Sequence, residues 1–263
     1  MRKSTGHKIV IIGCGNVAWH LAKQLAAFKN YKLFVYNHKA NSLLNDFKTK
    51  LKCSVTSNLK NIVTDADLYF ICVADKNIAS VAKRIKTKNS NAIIVHTSGS
   101  AKINELGDRS NTAVFYPLQT FSKQDEVNWK EVPVIVEAKN AAIKTKILNL
   151  AKEFSNNVIS LNYKERLKLH LAAVLVNNFT NALFVAAADL AAKDKKILLP
   201  LIKQTVLKIQ KLDPLAAQTG PARRGDKRVM EKHLKLISKN TELKKIYLQL
   251  SNLIIKQQAK KHA

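Results

Sequence analysis

The segment Gly13-Cys14-Gly15-Asn16-Val17-Ala18 lies between a β-branched run, Ile9-Val10-Ile11-Ile12, and an amphipathic stretch, Val17 to Phe28. No other feature constrains the fold of this chain as much. At a strand-to-helix junction the first glycine permits a tight turn and the second lets the backbone approach a pyrophosphate. A small third residue then lets the helix pack closely on the strand. Ala18 fills that third position. The helix N-terminus turns unpaired N–H groups and the positive end of its dipole toward phosphate. The motif predicts a dinucleotide-binding βαβ unit with Gly13, Gly15, Asn16 and Val17 at the cofactor; the competing reading is a doubly wound domain that binds no dinucleotide.

From residue 8 to about 160, short β-branched runs alternate with amphipathic helical stretches, the pattern of a parallel sheet built from βαβ units. Strands are predicted at 8–12, 32–36, 68–73, 92–96, 113–116, 132–136 and 157–160, with a fainter one near 53–55. After Asn162 the strand-like runs stop, and a helical pattern extends from about Tyr163 to Lys193 without glycine or proline. The expected class is α/β, a doubly wound, mainly parallel Rossmann sheet followed by an all-α C-terminal domain. The expected domains are 1–161, binding NAD(P), and 162–263, helical and serving substrate binding and dimerisation.

The 263 residues are 46% hydrophobic and 24% charged, enough to bury a sizeable core in a globular protein. The apolar stretches Leu171 to Val176 and Leu183 to Ala188 are separated by Asn177, Asn178 and Asn181, so no membrane-spanning helix is expected. The N-terminal residues Met1 to Lys8 lack an apolar core and cleavage site, so no signal peptide is expected and a cytoplasmic protein is the default. Cys14, Cys53 and Cys72 have neither metal-ligand nor disulfide spacing; they read as reduced and structural, with no metal site. The formal charge of +27 raises the question of nucleic acid. However, lysine is spread along the whole chain, with no basic cluster interleaved with aromatics, so the sequence argues against nucleic-acid binding and for a lysine-rich surface that favours anionic ligands.

The end of the second strand chooses between cofactors, because an acid there would bond a ribose 2′-hydroxyl. The stretch Tyr36-Asn37-His38-Lys39 has no acid, and Asn37, His38, Lys39 and Ser42 could donate to a 2′-phosphate, so NADP is expected rather than NAD. Alternatively, His38 and Lys39 simply form the polar start of a helix. Ligands of open α/β sheets lie beyond the carboxyl ends of the strands. That rule selects Val73-Ala74-Asp75 and His96 for the cofactor, and Ser98, Gly99, Tyr116 and Gln119 for substrate. Asp75 reads as a helix N-cap or as a cofactor-edge contact. Gly99 is expected to adopt a backbone conformation that a side chain would resist.

In the helical half, His170, Val174, Asn177 and Asn181 share a helix face, with Asn178 beside them, and this face is expected to be buried or half-buried. His170, Asn177 and Asn178, with Ser98, are the expected catalytic residues; His170 would pass a proton, or instead rest on a carbonyl at the domain seam. Asn181 and Arg223 are expected at the substrate, with Arg223 clamping a carboxylate or pairing with Asp226.

Together the glycine turn, His96-Thr97-Ser98-Gly99-Ser100, Tyr116 to Phe121, His170 to Asn181 and Thr219 to Asp226 resemble an uncharacterised family of Rossmann-like oxidoreductases with a C-terminal helical domain of unknown function. That family is similar in layout to pyrroline-5-carboxylate reductase, the 6-phosphogluconate and 3-hydroxyisobutyrate dehydrogenases, and prephenate dehydrogenase. The resemblance implies an NADP-dependent reductase or dehydrogenase, commonly a homodimer through its helical domain. Two positions depart from the pattern: Tyr116 stands where the family usually has histidine, and Ala173 stands where hydroxyacid dehydrogenases place a lysine. The expected function is oxidoreduction of a small polar, anionic substrate in the interdomain cleft. The alternative is a non-catalytic dinucleotide-binding sensor or interaction protein that dimerises through its helical domain.

Overall fold

The computed structural model describes residues 6–191 and 194–260. The first residues of the N-terminal reading, Met1 to Thr5, and the end of the predicted long helix at Lys193 lie outside the described residues. Two compact units divide the chain, 1–178 and 179–263, so the boundary falls later than the change in sequence character at 161.

The first unit is an eight-stranded sheet in the order β3-β2-β1-β4-β5-β6-β7-β8. The strands are β1 (His7–Ile12), β2 (Tyr31–Tyr36), β3 (Ser54–Thr56), β4 (Leu68–Ile71), β5 (Ile93–His96), β6 (Thr112–Pro117), β7 (Val134–Ala138) and β8 (Val158–Ser160). All neighbours pair in parallel except β6 and β7. Side chains of β1 alternate between two cores. Ile9 and Ile11 face α1 (Asn16–Ala26) and α4 (Ala141–Phe154), while Val10 and Ile12 face α3 (Ile78–Arg84) and Leu106. Burial on both sides explains why β1 and β4 read as unbroken apolar runs instead of alternating. The chain order reverses between β1 and β4, and in such sheets that switch point opens a crevice beyond the carboxyl ends of the strands.

Helix α2 (Ser42–Leu51) starts at Asn41, whose side chain accepts from the Leu44 N–H at 2.9 Å, so Asn41 is the cap and Ser42 is the first helical residue. The long helical run after Asn162 is not one uniform helix. Helix α5 (Tyr163–Ala173) begins with a reciprocal capping box between Asn162 and Glu165 and passes into a π-helical turn, Val174–Phe179, before α6 (Thr180–Ala191). The wider turn shifts the angular phase of the residues beyond it, so the even spacing assumed for His170, Asn177 and Asn181 does not hold through it. The face is half-buried only in part: His170 and Val174 are half-buried, whereas Asn177, Asn178 and Asn181 are exposed, as are Leu171, Leu175 and Val176. The run Tyr163–Ala191 is long and apolar enough to cross a membrane by length and composition, even with the three asparagines.

The second unit contains α6, α7 (Leu199–Lys211), α8 (Pro214–Ala217), α9 (Pro221–Arg224), α10 (Lys227–Leu236) and α11 (Thr241–Ala259). Pro221 occupies the first turn of α9, and Gly225 closes that helix in the left-handed region at φ 68°. Few of its side chains are buried: Ala222, Ile237 and Ser251 are, whereas Leu201, Ile209, Leu236 and Leu253 are among the large apolar side chains left exposed.

Candidate functional site

Gly13 has φ +111°, and a Cβ there would stand 2.2 Å from the Cys72 carbonyl oxygen, so only glycine allows β1 to turn beside β4. Gly15 differs: its φ is −75° and a Cβ would meet nothing within 4 Å. What it leaves is an open cradle at the start of α1. No side chain caps that helix and its first turn holds no acid, so its N–H groups stay available to an anion. These features fit the pyrophosphate of a dinucleotide.

Two clefts meet at this turn. One, of about 590 Å³, runs from Gly13 and Gly15 past Tyr36, Asn37 and His38 on one wall and Ala74, Asn77, Ser80 and Arg84 on the other. Leu59, Ile62, Val81 and Ile85 supply apolar surface suited to a flat ring. The second, of about 810 Å³, is lined by Gly15, Asn16, Val17, Asp75, Ser98, Tyr116, Gln119, His170, Asn177 and Asn178 among others. All of these residues belong to the first unit. Val73 touches both clefts.

In the second cleft, Tyr116 at the end of β6 places its Oη 3.0 Å from Nδ1 of His170 on α5, with the rings edge to face. Burial raises the Tyr116 pKa, the nearby Arg166 charge opposes the rise, and Asp75 adds to it, so the phenol is protonated at neutral pH. Gly99 lies under this pair: a Cβ would come within 2.6 Å of His170 Nδ1 and 2.7 Å of Tyr116 Cζ. Its φ is not in the positive region that Gly13, Gly107, Gly220 and Gly225 occupy. Glycine is required here by close packing, which corrects the expected backbone role.

Asp75 caps no helix. Its Oδ2 accepts from Ser98 Oγ at 2.7 Å and also from Ser100 Oγ, while Ser98 Oγ accepts the Ser100 and Ala101 N–H groups. Ser98 is therefore locked as a hub of the β5 loop. The carbonyls of the same loop are gripped by Arg166, four residues before His170, whose side chain is 0% exposed. Arg166 donates to the carbonyls of Ser98 (3.0 Å), Gly99 (2.8 Å) and Ala101 (2.8 Å) and pairs with Glu137 at 2.9 Å. Sequence reading missed both Arg166 and Glu137; the signal available was the one-helical-turn spacing from Arg166 to His170.

Other expected residues have different surroundings. His96 is fully buried and lines neither cleft. Its Nδ1 accepts the Ser98 N–H at 3.2 Å, so its proton sits on Nε2, which finds no partner. Burial, aided by the Arg166 charge, pushes its pKa down to about 4. Asn16 uses its side chain to hold the Phe121 carbonyl at 2.8 Å, and neighbouring His20 bonds the Ser122 carbonyl, which ties the β6 loop to α1. Asn37 donates to the Lys39 carbonyl, bracing the turn after β2, and Lys39 is exposed and lines neither cleft. Asn181 and Arg223 lie in the second unit. There Arg223 donates to the carbonyls of Ala216 and Gln218, while Asp226 caps α10, so these two do not pair. All three cysteines are free thiols whose pKa burial raises, to about 12 at Cys72 and about 11 at Cys53.

Compared with solved structures, the chain is similar to a Bacteroides fragilis protein described as a "putative NADP oxidoreductase": 35% identity, 97% of this chain and 100% of that one covered, TM-score 0.90. The chain belongs to this NADP oxidoreductase family. Family models agree on both parts: "NADP oxidoreductase coenzyme F420-dependent" matches residues 8–99 and "Domain of unknown function (DUF2520)" matches residues 132–254. The fold of this family is shared with a Plasmodium falciparum pyrroline carboxylate reductase with NADP bound (16% identity, 97% and 98% covered, TM-score 0.58). It is shared too with a reductive aminase from Aspergillus terreus (14% identity, 96% and 93% covered, TM-score 0.70). Comparison with curated proteins yields no match.

Proposed function

We propose that this NADP oxidoreductase family member reduces or oxidises a small polar substrate in the second cleft, with the Tyr116–His170 pair handling the proton. The pair at 3.0 Å, opening on a cleft that shares Gly15 with the dinucleotide groove, carries the reading. Bound nicotinamide supplies or accepts a hydride. The chain's own residues do the rest. Tyr116 Oη and His170 Nδ1 form a hydrogen-bonded path along which a proton moves to or from the reacting heteroatom, a contribution worth about 10²- to 10⁴-fold in rate. Asn177 and Asn178 offer amide donors and acceptors on the same wall for orientation.

The walls also bear on substrate charge. Among the described residues lining this cleft, Asp75 is the one carboxylate and no lysine or arginine is present. That lining gives no support to the anionic substrate inferred from the basic composition, and it suits a neutral or cationic carbonyl or imine compound.

NADP is proposed over NAD because the groove wall at the end of β2 offers His38 and no acid. We also propose that a second copy of the chain covers the exposed apolar helical faces, since patches of that extent on a globular chain mark contact surfaces.

The test has two stages. Thermal unfolding with NADPH, NADH or neither should give stabilisation that grows with NADPH concentration. Oxidation of NADPH is then followed across a panel of ketones, aldehydes and cyclic imines, where Tyr116→Phe and His170→Ala should each lower turnover and leave NADPH binding intact. Cofactor binding without turnover on any compound would point to the sensor reading instead.

A further inference from the structure

Asn77, the N-cap of α3, and the helix residues Ser80, Val81 and Arg84 follow one another at spacings of three and four, and all four line the dinucleotide groove. This stripe faces the groove from the wall opposite Asn37 and His38. The apolar side chains Leu59, Ile62, Val81 and Ile85 line the same groove and suit an adenine ring, and its two basic side chains are His38 and Arg84. Among the described residues, no aspartate or glutamate lines the groove, and Arg84 makes no ion pair. Asn37 has its side-chain amide on the Lys39 carbonyl, and Lys39 does not line the groove. Of the residues at the end of β2 that line the groove, His38 is the basic one.

We propose that Arg84, reaching from α3 to the rim occupied by His38, is the residue that recognises the 2′-phosphate and sets the preference for NADPH. The inference rests on the NADP reading of the groove. A guanidinium presents a rigid fork of donors matched to phosphate oxygens, is charged at every physiological pH, and is solvent-exposed here, so it can swing onto a ligand at little desolvation cost. His38 adds one ring N–H donor on the facing wall. A 2′-hydroxyl offers the guanidinium no charge, so the interaction discriminates between the cofactors.

The experiment titrates the full-length protein with NADPH, NADH, 2′,5′-ADP and 5′-AMP, read by nicotinamide fluorescence or calorimetry, for the wild type, Arg84→Gln, Arg84→Lys and Lys39→Gln. In the wild type NADPH should bind more tightly than NADH, and 2′,5′-ADP more tightly than 5′-AMP. Arg84→Gln should weaken NADPH and 2′,5′-ADP by about tenfold or more, leave NADH and 5′-AMP within about twofold, and leave the melting temperature of the free protein unchanged. Arg84→Lys should recover part of the loss, and Lys39→Gln should behave as the wild type. Equal weakening of NADPH and NADH in Arg84→Gln would make Arg84 an adenine or structural contact and overturn the proposal. So would an unchanged NADPH affinity, or a lost preference in Lys39→Gln. A wild type that binds both cofactors equally would remove the NADP reading itself.

Discussion

Arg166 and Gly99, 67 positions apart in the chain, are joined by a 2.8 Å hydrogen bond from a fully buried guanidinium to a carbonyl directly beneath the Tyr116–His170 pair. Arg166 thus holds the floor of the candidate site, and the same helix, one turn on, supplies the histidine that stands on it. Floor contact and histidine are carried by one helix. Any change that lifts the loop at Gly99 must displace Tyr116, His170 or both.

Gly99→Ala tests that relationship with one methyl group. Its Cβ would meet His170 Nδ1 at 2.6 Å and Tyr116 Cζ at 2.7 Å, so the rings must separate. Turnover should fall about 100-fold, the scale of a misplacement of about 1 Å, while NADPH affinity stays near the wild-type value. Steady-state kinetics beside a cofactor titration reads both. Equal turnover in the variant would show that the pair's spacing is unimportant.

Arg166→Met should destabilise the protein by about 3–5 kcal/mol, because it strands the Glu137 carboxylate and removes the donors to three loop carbonyls. The double variant Arg166→Met with Glu137→Leu should recover part of that loss, since no unpaired charge remains. Urea unfolding of the two single variants, the double variant and the parent yields the coupling. Strict additivity would mean that the ion pair contributes nothing beyond its separate parts.

Gly13→Ala should cost at least about 1–3 kcal/mol, the scale of one residue forced into a sparsely populated backbone region, and should abolish NADPH binding. The reason is the φ of +111° together with the 2.2 Å approach to the Cys72 carbonyl. Thermal unfolding and cofactor fluorescence check the two effects. Gly15→Ala separates them: its Cβ meets no protein atom, so it should fold as the parent does yet bind NADPH poorly.

His96 makes stability depend on pH in the acid range. Its folded pKa is near 4 against an ordinary value of 6.5, so between these pH values the unfolded chain binds a proton that the native state refuses. Its contribution is fully present above about pH 6.5 and is lost as pH falls toward 4, at no more than about 1.4 kcal/mol per pH unit. Replacing His96 by Asn, whose side-chain oxygen can still accept the Ser98 N–H, should flatten this part of the profile. Unfolding free energies measured from pH 7 to pH 4 for both proteins decide it; parallel curves would remove His96 as the cause.

Much of the first unit is legible in its residues because the signals are local. Ile9 to Ile12 is a buried strand whichever way the rest of the chain folds, and Gly13 and Gly15 mark the turn that must succeed it. The strand ends at Ile71, His96 and Pro117 fall close to the predicted positions, which brings Ser98, Tyr116 and Gln119 to one edge as expected. His170 joins them. The π-turn at Val174–Phe179 was not legible, since a one-residue widening leaves the apolar composition of the helix unchanged. The exposure of its asparagines was not legible for a related reason: an apolar helical run implies burial against something, and the chain alone does not state against what.

What the sequence determined by itself is the turn, the alternation of strands and helices, and the change to an all-helical second half, each set by residues within a few positions of one another. Only the tertiary structure decided that Tyr116 pairs with His170, that Arg166 grips the loop of Ser98 and Gly99, that Asp75 binds serines instead of capping a helix, and that Arg84 lines the groove while Lys39 does not. Each of these is a meeting of side chains brought together by sheet order and helix phase over tens of residues, and no local propensity encodes which distant partner a polar group will find.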